Sequence, residues 1–142
     1  MKILALDIGD QWTGSALSDP TKTFARPYQT VKSKELDQFL TEKIKTEHIE
    51  TVVVGHPKTL KGTESEQTKK IKQEKERLEK KFPSVAWILW DERLTSKFAQ
   101  SASPRTKRKK SKEDKIKSHS VAAAFILDSY LIYLQNRKNT ES

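Results

Sequence analysis

The sequence predicts a mixed α/β fold: one five-stranded sheet with helices on both faces, in the order β-β-β-α-β-α-β-α-α. Three observations carry that expectation. The opening thirty or so residues hold three alternating segments around "ILALDI", "WTGSALS" and "TFARPYQTV", joined by turn-rich links. Two later runs, "TVVVG" (51–55) and "VAWILW" (85–90), are apolar enough for strands buried on both faces. Stretches of helical periodicity separate and follow them. A meander that gives way to alternating strands and helices argues for a mixed sheet covered by helices.

Each element has its own signal. Period-2 alternation marks strands at 2–8, 12–18 and, more weakly, 23–31, with turns at Gly9-Asp10 and Asp19-Pro20. Ser33 has the chemistry of an N-cap, and Leu36, Phe39, Leu40 and Ile44 recur at helical spacing, so a helix is expected over 34–47. Thr63-x-x-Glu66 has the form of a capping box opening a second helix, which Pro83 closes off just past its end. Its stripe of Ile71, Leu78 and Phe82 is thin, as suits a helix on the outside of a sheet. A short helix is expected near 96–101. The final helix, "SVAAAFILDSYLIYL", is apolar on most sides and should be well buried. The whole of 1–142 reads as a single domain with a flexible basic loop at 102–117 and a disordered tail at 137–142.

At 142 residues the chain can bury one core. No apolar run reaches the roughly 20 residues of a membrane span, and Met1-Lys2 leads straight into a strand rather than a signal peptide. Cysteine is absent, which excludes disulfides and thiolate metal sites. A cytoplasmic protein with no membrane partner is the expectation. The formal charge of +9 is unevenly placed: "RTKRKKSKEDKIK" (105–117) sets eight Lys/Arg against Glu113 and Asp114. Such density either solvates a loop or attracts polyanions through counterion release, and nucleic acid is the favoured partner.

The chemistry is carried by acids at strand ends. Asp7 ends the first strand, and Asp91-Glu92 ends the last. Loops at the carboxyl ends of parallel strands gather functional groups, so these carboxylates should meet at one edge. Close carboxylates repel unless a cation sits among them, and hard oxygen ligands select Mg²⁺ or Mn²⁺. Side chains alternate across a strand, so one of Asp91 and Glu92 faces the site and the other does not. Read singly, Asp7 is equally a turn-former and Asp91 a helix cap.

Four segments in order resemble the YqgF/RuvX-like family, which has an RNase H-like fold related to Holliday-junction resolvases. They are "LALDIGDQWTGSALSDP", "VVVGHPKTLKGTESEQ", "WDERLTS" and "KIKSHSVAAAFILDSYL". The resemblance implies a divalent-metal-dependent nuclease that matures the 5′ end of pre-16S ribosomal RNA, with ribosomal precursor particles among its expected partners. A junction resolvase acting on branched DNA is the rival enzyme, and a non-catalytic RNA-binding assembly factor is the rival of another class. It further implies Asp7 as a shared metal ligand and Glu92, or Asp91, as the second, in a monomer or weak homodimer. Actin-like ATPases also open on Asp-x-Gly but are much longer.

One position departs from the family pattern. A third acid is expected at the start of the final helix, and His119 stands there, at what would be the second or third helical position. Imidazole suits Mn²⁺ better than Mg²⁺ and brings no negative charge. Three readings stay open: a site with altered metal preference, a weakened nuclease that still binds RNA, and compensation by Asp114. Around this centre Arg93, Lys61, Arg105, Lys107, Arg108, Lys109 and Lys110 are the candidate phosphate contacts, Arg93 being equally a structural partner for Asp91. Gly9, Gly55, Pro57 and Gly62 are expected to shape loops. Trp87 and Trp90 read as core, Trp12 as a residue facing the substrate groove, and His48 and His56 as surface or loop histidines.

Overall fold

The computed structural model describes residues 1–56, 66–91 and 112–141. It contains β1 (Lys2–Ile8), β2 (Trp12–Ser18), β3 (Ala25–Lys32), a 3₁₀ turn (Ser33–Glu35), α1 (Leu36–Thr46), β4 (Ile49–His56), α2 (Glu66–Lys81), β5 (Ala86–Asp91) and a long α3 (Lys112–Glu141). The five strands form one mixed sheet in the order β3-β2-β1-β4-β5. β1, β2 and β3 pair antiparallel as a meander, while β4 and β5 run parallel to β1. The expected capping box reaches back to Thr63, and the expected helix near 96–101 lies beyond β5; both fall outside the described residues.

The alternation of β1 divides the core in two. Leu4 and Leu6 join Leu17, Val52 and Val54 in a cluster closed by Leu36, Phe39 and Leu40 of α1 and Ile71 and Leu78 of α2. Ile3 and Ala5 face the other way, with Ala16 and Val53, onto Ala123, Ile126, Leu127, Tyr130 and Leu131 of α3. Two faces, each with its own helices, make the layered α/β arrangement.

Two expectations need correction. Ser33 does not cap α1: its hydroxyl donates to the Gly9 carbonyl at 2.6 Å and lies 2.9 Å from the Thr13 hydroxyl, so tertiary partners claim it. The final helix begins at Lys112 rather than near Ser118, and it runs on to Glu141. Residues 112–117 of the expected loop and 137–141 of the expected tail are therefore helical. Charge hid this segment from hydrophobic periodicity, although "KEDKIK" holds mostly good helix formers.

Candidate functional site

Asp7 is the last but one residue of β1, and its parity with Ile3 and Ala5 places it on the α3 face. Its neighbours across the sheet on that face are glycines. Gly14 of β2 is its antiparallel partner, and the register Leu6–Val54 brings Gly55 of β4 beside it. Gly55, expected to shape a loop, is thus a buried residue inside a strand. Neither of these neighbours sets a side chain beside the Asp7 carboxylate.

Gly14 has a second role that sequence reasoning missed. A Cβ built there would lie 2.5 Å from the Ser120 amide nitrogen and closer still to the His119 carbonyl. The backbone of α3 crosses directly over β2 at this point, and only glycine admits it. That crossing delivers the imidazole: His119 Nδ1 lies 3.6 Å from Asp7 Oδ2. The available signal was a glycine in the middle of a strand, which often marks close backbone approach.

Both side chains stay reachable from solvent, Asp7 at 25% and His119 at 35% exposure. Burial raises the Asp7 pKa above its ordinary 3.8, and the adjacent His119 acts in the opposite sense. His119 is the eighth residue of α3, two turns in, not the second or third. The helix dipole acts within the first turn, so its companion is the Asp7 carboxylate and not the helix end.

The last strand resolves the Asp91 and Glu92 alternation in part. Asp91 is the register partner of His56, while Trp90 partners Gly55. By parity Asp91 falls on the α1/α2 face, away from Asp7, whereas Trp90 packs on the α3 side. Glu92, Arg93, Pro57, Lys61, Gly62, Arg105, Lys107, Arg108, Lys109 and Lys110 lie outside the described residues. Asp114 belongs to α3 rather than to a loop. Among the described residues, no three His, Asp or Glu side chains converge as a metal cluster.

Other readings meet mixed outcomes. His56 is 4% exposed at the end of β4, so it is a buried strand residue and not a surface one. His48 is exposed and adopts φ 54° between α1 and β4, a left-handed turn position that His tolerates better than most residues. Trp87 is core, its indole N–H donating to the Phe82 carbonyl at 2.9 Å. Trp90 donates to Ser129 Oγ at 2.7 Å and packs against Tyr130 and Tyr133. Gly9 turns the chain between β1 and β2, its N–H donating to the Trp12 carbonyl at 3.0 Å.

A mixed sheet of this topology, with an acid near the tip of its central strand and a long helix laid across that tip, is the RNase H-like fold of Holliday-junction resolvases. Thermus thermophilus RuvC, in complex with a Holliday junction substrate, superposes with a TM-score of 0.63 over 95% of both chains at 14% identity. The fowlpox virus Holliday junction resolvase gives 0.53 over 94% of this chain and 99% of its own. At such identities the likeness is one of fold. Residues 1–133 match the model of the RuvX family, described as Holliday junction resolvase, and the chain belongs to that nuclease family. A Rubrobacter xylanophilus relative is 38% identical over 130 residues, covering 92% of this chain and 91% of its own. A Sulfurihydrogenibium relative is 39% identical over 132 residues, at 92% and 89% coverage. Both carry the name "Putative pre-16S rRNA nuclease".

Proposed function

We propose that the chain is a divalent-metal-dependent phosphodiester hydrolase that trims the 5′ end of pre-16S ribosomal RNA in the cytoplasm. The observation that carries this reading is the Asp7–His119 pair, 3.6 Å apart over a floor of glycines on one face of the sheet. Nucleases of the RuvC and RuvX kind depend on divalent metals in general. A carboxylate oxygen beside an imidazole nitrogen fits as part of such a site, with Mn²⁺ better suited than Mg²⁺ to the nitrogen. When bound, the metal ions supply an activated water and stabilise the leaving oxygen of an in-line displacement.

The residues divide the rest of the work. Asp7 presents acceptor oxygens only, and His119 turns a ring nitrogen toward the same opening. Asp91 falls on the opposite face, which favours Glu92 as the second carboxylate. Arg93, Lys61 and the basic run Arg105, Lys107, Arg108, Lys109 and Lys110 neutralise phosphates of the incoming strand. The name that the relatives carry supports action on ribosomal precursors, and the description of the family keeps branched DNA as the competing substrate.

The test is cleavage by the purified chain of a labelled pre-16S precursor and of a four-way DNA junction, with Mg²⁺ and Mn²⁺ supplied separately. The expected result is RNA cleavage at the 5′ end, weak in Mg²⁺ and stronger in Mn²⁺. Junction cleavage with intact RNA makes it a resolvase. Asp7→Asn should abolish cleavage, a loss of 10³-fold or more, equivalent to about 4 kcal/mol. The folded state holds the Asp7 proton more tightly than the unfolded chain does, because burial raises this pKa. Ionised Asp7 therefore costs stability once the pH has risen through that range. The Asn variant should melt at or above the wild-type temperature at neutral pH. Cleavage at wild-type rate in that variant removes the site.

A further inference from the structure

Trp12 opens β2 and shares the parity of Gly14, which puts it on the face of Asp7. It lies two residues along the strand from Asp7's partner, about 7 Å at the usual rise. The other two tryptophans are committed to the core and hydrogen-bonded there. Trp12 is half-buried and lines an open hollow of about 360 Å³ with Asp10, Gln11, Lys32 and Lys34. Lys32 is its cross-strand partner on β3. Both lysines are exposed, and neither pairs with an acid among the described residues. Lys2, Lys22, Lys75 and Lys81 all do.

An indole face sharing a hollow with two lysines that form no ion pair among the described residues has the chemistry of a base-stacking platform with phosphate contacts. Asp10 works against a purely electrostatic account, since its carboxylate lies in the same hollow. It accepts hydrogen bonds and donates none when ionised, so it suits an exocyclic amine or a ribose 2′-hydroxyl. Gln11 offers both an amide donor and an acceptor beside it.

We infer that this hollow binds one unpaired nucleotide of the RNA next to the phosphate at Asp7, its base stacked on Trp12 and its phosphates on Lys32 and Lys34. The inference deepens the nuclease reading and rests on it for the position of the phosphate. A duplex keeps its bases stacked within itself, so Trp12 makes the site selective for single-stranded segments beside the cut.

The test is binding of the full chain, in EDTA, to a fluorescein-labelled adenosine 12-mer RNA and to a blunt RNA duplex, followed by anisotropy. Trp12→Ala should weaken the single strand about tenfold, within the range for loss of one base–aromatic stack, and leave the duplex within about twofold. Trp12→Phe should recover most of the loss. Wild-type tryptophan fluorescence should be quenched by the 12-mer, and Trp12→Phe should abolish that quenching. Lys32→Gln with Lys34→Gln should lower the salt slope of log K by about 1.4, or about 0.7 per contact. Equal weakening of both RNAs, no weakening of either, or unchanged quenching in Trp12→Phe overturns the inference. Because EDTA removes catalysis, failure here leaves the Asp7 site standing, and failure of cleavage leaves these binding results readable.

Discussion

The two faces of the sheet are built from the same strands to opposite ends. On the α1/α2 face, Leu4, Leu6, Leu17, Val52 and Val54 fill the space with branched side chains. On the α3 face, Ile3 and Val53 share the sheet with Ala5 and Ala16, and beside Asp7 the neighbours are Gly14 and Gly55. Large residues hold helices at arm's length and seal the interior. Small ones let a helix backbone descend onto the sheet, and at Gly14 that descent brings His119 to Asp7. One strand, β1, supplies both designs by alternation, so Leu6 and Asp7 are adjacent in sequence yet belong to different problems.

The comparison breaks most severely at Gly14. Gly14→Val forces a side chain into the His119–Ser120 backbone, so α3 must lift. A loss of about 4 kcal/mol or more is expected by chemical denaturation, with cleavage lost in any protein that still folds. Retention of full stability would show that α3 does not cross there. Leu6→Ala should cost about 3 kcal/mol through the cavity it leaves on the closed face. Its Mg²⁺-to-Mn²⁺ activity ratio should match wild type, since Asp7 and His119 keep their places. A changed ratio would mean that the two faces are coupled.

His119→Asp sharpens the open face. A second carboxylate beside Asp7 should raise the Mg²⁺-dependent rate tenfold or more, about 1.4 kcal/mol off the barrier. It should also lower the melting temperature without metal and recover it when Mg²⁺ is added, as paired like charges do. His119→Ala should lower the Mn²⁺ rate. If neither substitution moves any rate, the imidazole is a bystander.

The smallest effect belongs to the outer surface of the closed face. Asp37 of α1 accepts two hydrogen bonds from Arg77 of α2, at 2.8 Å each, and one from Lys81 at 2.7 Å. These hydrogen bonds, from Arg77 first, hold its carboxyl well below the usual carboxylate range. A depressed folded pKa gives stability that is complete above the unfolded value near 3.8 and disappears as pH falls through the folded one. Asp37→Asn should therefore cost about 0.5–1 kcal/mol at neutral pH and low salt, and progressively less below pH 4. A pH-independent difference in thermal denaturation would show that charge is not its basis.

Much of the fold was legible in local pattern. Alternation located β1 and β2, and the apolar runs located β4 and β5. What escaped reading depended on distant neighbours. Nothing local to Ser33 announces that Gly9 and Thr13 will take its hydroxyl in place of the helix. "VAWILW" is apolar at both parities, so only its pairing with β4 reveals that Asp91 turns away from Asp7. The start of α3, KEDKIK, carries five charges and a single apolar Ile116, and hydrophobic periodicity has no purchase on such a segment. At the candidate site, Asp7 and His119 were legible from their residue types and positions in family-like segments. Gly14 was not, because its importance lies in a helix that crosses more than a hundred residues later.

The Ser33 junction has a consequence in time as well as in space. The turn between β1 and β2 holds Gly9, Asp10 and Gln11, and it would ordinarily be a place where the chain breathes. Here the Gly9 N–H donates to the Trp12 carbonyl, the Ser33 N–H to the Gln11 carbonyl at 2.9 Å, and the Ser33 hydroxyl to the Gly9 carbonyl. The turn is thereby bolted to the β3–α1 junction, so it opens only when that junction does. Amide protons of Gly9 and Ser33 should exchange with solvent at the slow pace of the strands, not the fast pace of exposed turns. The hollow beside Trp12 then waits already shaped, and a nucleotide that enters it has little ordering left to impose on the protein.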